Sequence, residues 1–297
     1  MIHETAAKLK IFISMFIFGT IGVFKMYIPL PNSLIALARA VIGMVFLVII
    51  LIMTRKKPDW KAIRSNLLWL ILSGVFLGYN WLLLFEAFDF TSVAIGTLCY
   101  YMAPIFVILV SPFLLREHLN LRKAICVTAA LAGMVCISGV LQSAMPSGDD
   151  LKGILFGLAA AVLYASIILC NKQMKGISAY DKTILQLGIS AVSMLPYCFF
   201  TVSADALSLD TKAILLLLLI GVVHTGLTYY LYFGSMEHVS GQSAAIISYI
   251  DPVIAVLASV LFLRQPMRSE ELIGAVLIIG AALVSEVHIV RKKAGHD

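Results

Sequence analysis

Ten apolar stretches of close to twenty residues follow one another along the chain, separated by intervals too short to hold a further domain. They cover approximately residues 9–28, 34–53, 67–88, 91–114 and 124–141, then 151–170, 183–201, 213–236, 241–263 and 272–290. At about 1.5 Å per residue, a helix of roughly 20 residues crosses the hydrocarbon of a bilayer. A spanning segment has no water to satisfy its backbone, so stretches of this length demand helices. The expectation is an all-α integral membrane protein with ten transmembrane helices.

Composition excludes the soluble alternative. The chain is 61% hydrophobic and 13% charged, with a mean hydropathy of +0.99, whereas soluble domains carry about 25% charged residues. The formal charge of +6 comes from Lys and Arg scattered at segment ends. Without a basic face or aromatic-basic interleaving, no nucleic-acid partner is expected. Residues 8–22 imitate a signal peptide but lack a small-x-small cleavage site, and read as a first retained helix. Cys99, Cys126, Cys136, Cys170 and Cys198 lie within apolar runs and form no C-x-x-C pair, so they read as small buried hydrophobes rather than metal ligands or disulfides.

The second constraint is a repeat. Tyr100-Tyr101-Met102-Ala103-Pro104 is echoed by Ser248-Tyr249-Ile250-Asp251-Pro252, with the prolines 148 positions apart and an arginine, Arg116 or Arg264, twelve positions after each. Phe85 and Phe233 extend the match backwards. The chain therefore divides into a five-helix half over 1–145, a second over 151–290, and a short basic cytoplasmic tail over 291–297, with a small polar link at 145–150.

With the N-terminus inside, sixteen Lys and Arg residues fall on the cytoplasmic side and five outside, which orients both termini inward. Five spans per half is odd, so the second half enters the membrane inverted. An inverted repeat suits alternating access, because two similar halves can exchange conformations around one central site. Repetition is also compatible with two bundles that merely pack stably.

The chain resembles the EamA-like ten-helix group of the drug/metabolite transporter superfamily. The first half carries the resemblance in Glu86-Ala87-Phe88-Asp89-Phe90-Thr91-Ser92-Val93-Ala94, Tyr101 to Pro104 and Arg116-Glu117. In the second half, Glu237-His238-Val239-Ser240, Tyr249 to Pro252 and Leu272-Ile273-Gly274-Ala275 through Gly280 carry it. The resemblance implies a 5+5 inverted-repeat carrier with a central cavity, often an exporter driven by exchange or protons. It also implies an acidic residue after the fourth and ninth helices; Glu117 fits, whereas Gln265 stands at the second place.

Several residues are candidates for transport. Asp251 sits near mid-membrane, where an ionised carboxylate facing lipid costs several kcal/mol. It either binds a cationic group, exchanges a proton, or makes a helix–helix hydrogen bond; Ala103 at the matched place means the fold does not require it. Pro104 and Pro252 should kink the fourth and ninth helices. Arg39 either snorkels, holds a substrate carboxylate, or pairs with Glu86 as an outer gate. His224 is either a packed neutral ring or a proton relay, and Asp251 shares that proton-coupling role.

Tyr101, Tyr229 and Tyr249 are candidate cavity residues, and Asn80 is a polar candidate whose simpler reading is an interhelical hydrogen bond. Gly74-x-x-x-Gly78 and Gly153-x-x-x-Gly157 read as sites of close helix approach. No nucleophile-base cluster or metal-ligand spacing is present, so neither an enzyme nor a bound cofactor or metal is expected. The expected function is a secondary transporter in the cytoplasmic (inner) membrane, exporting amino acids or related small organic metabolites. Uptake or exchange of another solute, such as a cationic drug, polyamine or sugar-phosphate-like metabolite, is the alternative, with a non-transporting sensor behind it. The expected partners are the solute and membrane lipids, and the chain is read as a monomer or weak homodimer.

Overall fold

The computed structural model describes residues 2–55, 57–114, 121–137, 148–203, 210–236, 238–239, 247–248 and 250–286. The described chain is helical throughout. The helices are α1 (Ile2–Met26), α2 (Asn32–Met53), a short α3 (Trp60–Ser65), α4 (Leu67–Phe90), α5 (Val93–Tyr100), α6 (Ala103–Leu114) and α7 (Leu121–Ile137). They continue with α8 (Gly148–Gln173), α9 (Ala179–Thr201), α10 (Thr211–Leu218), a π-helical stretch at Leu219–Leu227, α11 (Thr228–Met236), α12 (Ile250–Phe262) and α13 (Ser269–Glu286).

Among the described residues, seven helical segments are long and apolar enough to cross a membrane: Glu4–Met26, Asn32–Met53, Leu67–Phe90, Val93–Val110, Gly148–Gln173, Ala179–Thr201 and Thr211–Ser235. Ala124–Cys136 and Ile250–Phe262 are shorter apolar helices. Side chains such as Phe199, Phe200, Leu121 and Met53 point outward, 72–83% exposed. In water such a surface would aggregate; on a membrane protein it is the face that meets lipid.

Helix starts follow local chemistry. The carboxylate of Asp59 accepts from the amides of Lys61 and Ala62, Ser92 from Ile95, Ser178 from Asp181, and Asp210 from Ala213. Each satisfies a first-turn amide that has no partner within its helix. The chain leaves α2 through Arg55 and α12 through Arg264, both left-handed at φ 53° and 54°.

Two departures from regular helix concern the prolines and the eighth apolar stretch. The stretch expected at 91–114 breaks at Tyr101 and Met102, and Pro104 falls in the first turn of α6, where its missing amide costs no helical bond. The irregularity there is a two-residue turn within the segment Val93–Val110. Pro252 likewise occupies the first turn of α12, and Tyr249 before it lies outside the described residues. Arg116, Glu117, Glu237 and the tail at 291–297 lie outside them too.

Helix α4 packs between α8 and α9, α2 lies against α9 and the π stretch, α1 against α11 and α12, and α7 against α13. The paired glycines serve these contacts. A Cβ on Gly74 would stand 2.7 Å from Ile189 Cβ, and one on Gly153 would stand 2.7 Å from Thr91 Cβ. The five cysteines are free thiols, four of them buried.

Candidate functional site

The two proline segments meet at the centre of the bundle. Tyr101, in the break before α6, donates its hydroxyl to Asp251 Oδ2 at 2.6 Å. Asp251 begins α12, which approaches α1 so closely that a Cβ on Gly19 would lie 2.6 Å from the Asp251 carbonyl oxygen. Asp251 is half-buried. The Ala103 position therefore lacks a carboxylate, while its neighbour Tyr101 supplies the hydrogen bond that holds the one across the bundle.

Aromatic rings surround this pair. Tyr100 stacks on Tyr164 of α8 with centroids 5.0 Å apart at 16°, and meets Tyr101 edge-on at 6.0 Å. The Tyr100 hydroxyl lies within electrostatic reach of Asp251, Tyr164, Tyr229 and Arg39. Tyr229 packs edge-on against Phe18 of α1 at 5.4 Å. Tyr229 lies within electrostatic reach of Tyr100, which packs beside Tyr101. Tyr164, in the small-residue-rich helix α8, carried no repeat or motif signal.

Arg39 is placed differently. It is 3% exposed, its guanidinium carbon sits 3.7 Å above the Trp81 ring, and its Nε donates to Thr225 Oγ1 at 3.2 Å. The outer-gate contact with Glu86 is not formed. Glu86 instead lies within electrostatic reach of Lys25, and the ion pair at that end of the bundle joins Lys25 to Asp89. Asn32 Nδ2 also donates to Asp89 Oδ2 at 2.6 Å, so α1, the start of α2 and the end of α4 are tied together. Trp81 and Thr225 capture the guanidinium because a flat, weakly hydrated cation stacks well on an indole face.

Gln265 has a role of its own. Its Oε1 accepts from the Val93 amide at 3.1 Å and from Ser259 Oγ at 2.6 Å, which caps the first turn of α5 from the α12–α13 turn.

His224 occupies the π stretch, 2% exposed. Its Nε2 is 3.1 Å from Thr20 Oγ1 on α1 and its Nδ1 is 3.4 Å from the Leu219 carbonyl. Thr20 can also turn its hydroxyl to the Ile17 carbonyl at 2.8 Å. A neutral ring protonated at Nδ1 donates to Leu219 and accepts from Thr20; a doubly protonated ring donates to both, with Thr20 donating onward. Both protonation states therefore find partners, a property a proton relay needs. The π geometry frees carbonyls that Thr225 and Thr228 recover, donating to Ile220 at 3.1 Å and Val223 at 2.6 Å.

Asn80 is fully buried and joins helices: its Nδ2 donates to the Ala160 carbonyl at 2.6 Å, and its Oδ1 accepts from Tyr100 at 3.3 Å. It ties Tyr100, stacked on Tyr164, to the backbone of α8. Among the described residues, no three His, Cys, Asp or Glu side chains gather as metal ligands.

Comparison with known proteins agrees with this architecture. Uncharacterized transporter YxxF of Bacillus subtilis is 30% identical over 282 residues, covering 95% of this chain and 90% of that one. An uncharacterized transporter of Archaeoglobus fulgidus is 26% identical, covering 67% and 69% of the two chains. A crystal structure with a TM-score of 0.61 covers 95% of this chain and 97% of its own at 21% identity, which speaks to the fold alone. The sequence profile of the EamA-like transporter family matches residues 6–139 and again 151–286. With both halves matched, the chain belongs to the EamA-like transporter family, multi-pass membrane proteins that carry small organic solutes and do no covalent chemistry.

Proposed function

We propose that this protein is an alternating-access exporter of amino acids or related small organic metabolites in the cytoplasmic membrane, with both termini inside. Its ten spans form two inverted halves, 1–145 and 151–290. The spans are α1, α2, α4, α5 with α6, and α7, then α8, α9, α10 through α11, the segment ending in α12, and α13. The double profile match, over residues 6–139 and 151–286, supports that division. Lys25–Asp89 then lies at the outer face and Asn66, which bonds Lys175 of the α8–α9 turn, at the cytoplasmic face.

The observation that carries the reading is the Tyr101–Asp251 hydrogen bond. It joins the repeated segments of the two halves at the one half-buried carboxylate in the tyrosine cluster. A site shared between halves is the place where rocking of one half against the other alters access. Asp251 and Tyr101, with Tyr229, form the solute site; Tyr249 is proposed for the same wall. His224 and Asp251 are proposed to carry coupled protons. Arg39 and Asn80 position the tyrosines and the π stretch instead of meeting the solute.

Counterflow in sealed proteoliposomes tests the carrier. Exchange of at least one amino compound is expected, and no solute-dependent flux across a broad panel would refute it. Coupling is tested by flux with and without a pH gradient in Asp251→Asn and His224→Ala; unchanged gradient dependence in both rejects the proton role.

A further inference from the structure

The ionisable groups around the centre differ in whether a solute can reach them. Arg39, His224 and Lys25 are 2–3% exposed, and each is engaged: Arg39 with Thr225 and Trp81, His224 with Thr20 and Leu219, Lys25 with Asp89. Asp251 is half-buried, as are Tyr100, Tyr101, Tyr164 and Tyr229. Tyr101 occupies Oδ2, and among the described residues Oδ1 has no hydrogen-bond partner. Among the described residues of this cluster, the charged side chain that is only half-buried is thus a single carboxylate, set among aromatic faces.

We propose that the site reads the cationic nitrogen of its solute and provides no charged counterpart for a carboxylate. Amines and amino amides are then its preferred ligands over the zwitterionic amino acids. This deepens the proposed function and rests on it.

The physical argument has three parts. A primary ammonium brings three donors, and a carboxylate oxygen with free lone pairs is the matching acceptor. Tyrosine faces attract a cation through their quadrupole, adding about 0.5–2 kcal/mol as water is excluded. A carboxylate entering the same space would shed its hydration against neutral hydroxyls only and would be repelled by Asp251. Arg39 cannot answer it without leaving Trp81. Arg39 serves the site from behind, within electrostatic reach of Tyr100 and Tyr229.

The test uses two ligand sets, built on alanine and on phenylalanine. Each comprises the amino acid, its amide, the decarboxylated amine and the N-acetyl acid. Binding to the purified full chain is measured calorimetrically, and each compound is tested as a counterflow inhibitor. The amide and amine of at least one set should bind no weaker than the amino acid, with the N-acetyl acid about tenfold or more weaker. Asp251→Glu should keep the amine preference and Asp251→Asn should lose it. The wild-type ratios decide the matter even if Asp251→Asn fails to fold.

If amino acid and N-acetyl acid bind while amine and amide are about tenfold weaker, the inference falls and the exporter reading stands. If nothing in either set binds or exchanges, the amino-compound reading falls and takes the inference with it.

Discussion

Helix α4 and the stretch from α10 to α11 occupy corresponding places 148 positions apart, yet they are built differently. The first is 24 residues of regular α-helix. Its polar groups, Ser73 and Asn80, bond to its own backbone or to neighbouring helices α8 and α9. The second passes through nine π-helical residues that turn His224 toward α1 and Thr225 toward Arg39 on α2. One copy of the repeat holds the bundle together, and the other links α1, α2 and the central site through polar contacts. A duplicated fold can thus specialise one copy by changing helix geometry at nearly unchanged hydropathy.

That contrast can be broken experimentally. Deleting Val222 has the largest expected effect. A π stretch holds an extra residue relative to an α-helix of the same turns, so the deletion should restore regular helix and leave the flanks in place. Exchange should fall more than about tenfold while the protein still elutes as one species, because His224 leaves Thr20 and Thr225 leaves Arg39. Wild-type exchange in the deletion would remove the π stretch from the mechanism.

Arg39→Ala comes next. Losing the stacked guanidinium should cost about 3 kcal/mol of stability, combining a cavity with a lost cation–π contact. The order of solute preference should not change, since the group is a strut and not a ligand. A reordered preference would restore Arg39 to the binding surface.

Gly74→Ala in α4 and Gly221→Ala in the π stretch sharpen the comparison. Their new Cβ atoms would stand 2.7 Å from Ile189 Cβ and 2.5 Å from Ile42 Cβ, so both should cost about 1–3 kcal/mol in unfolding experiments. Exchange at equal folded protein should drop only for Gly221→Ala. Equal loss in both variants would mean that the two spans contribute alike. Asn80→Ala should be mildest, about 1 kcal/mol of stability, measured by thermal unfolding in detergent.

Legibility from sequence was uneven for physical reasons. The apolar stretches predicted an all-helical membrane protein because bilayer thickness imposes length and the absence of water imposes helicity. The proline repeat located the segments that meet at Tyr101 and Asp251. Periodicity, however, is blind to an extra residue within a uniformly apolar helix, so the π stretch left no trace. Nor did spacing reveal Tyr164, which becomes part of the site only by stacking on a ring 64 positions earlier.

Arg39 and Asp251 looked equivalent as isolated charges in apolar runs. The chain alone determined that both must avoid lipid, since the cost of a bare charge in hydrocarbon depends on little else. Tertiary packing decided how each does so. Arg39 stacks on Trp81 and donates to Thr225, whereas Asp251 faces a tyrosine hydroxyl and, among the described residues, has no hydrogen-bond partner for its second oxygen. Partners from distant parts of the chain determine how a buried charge is held, and only the folded arrangement brings them together.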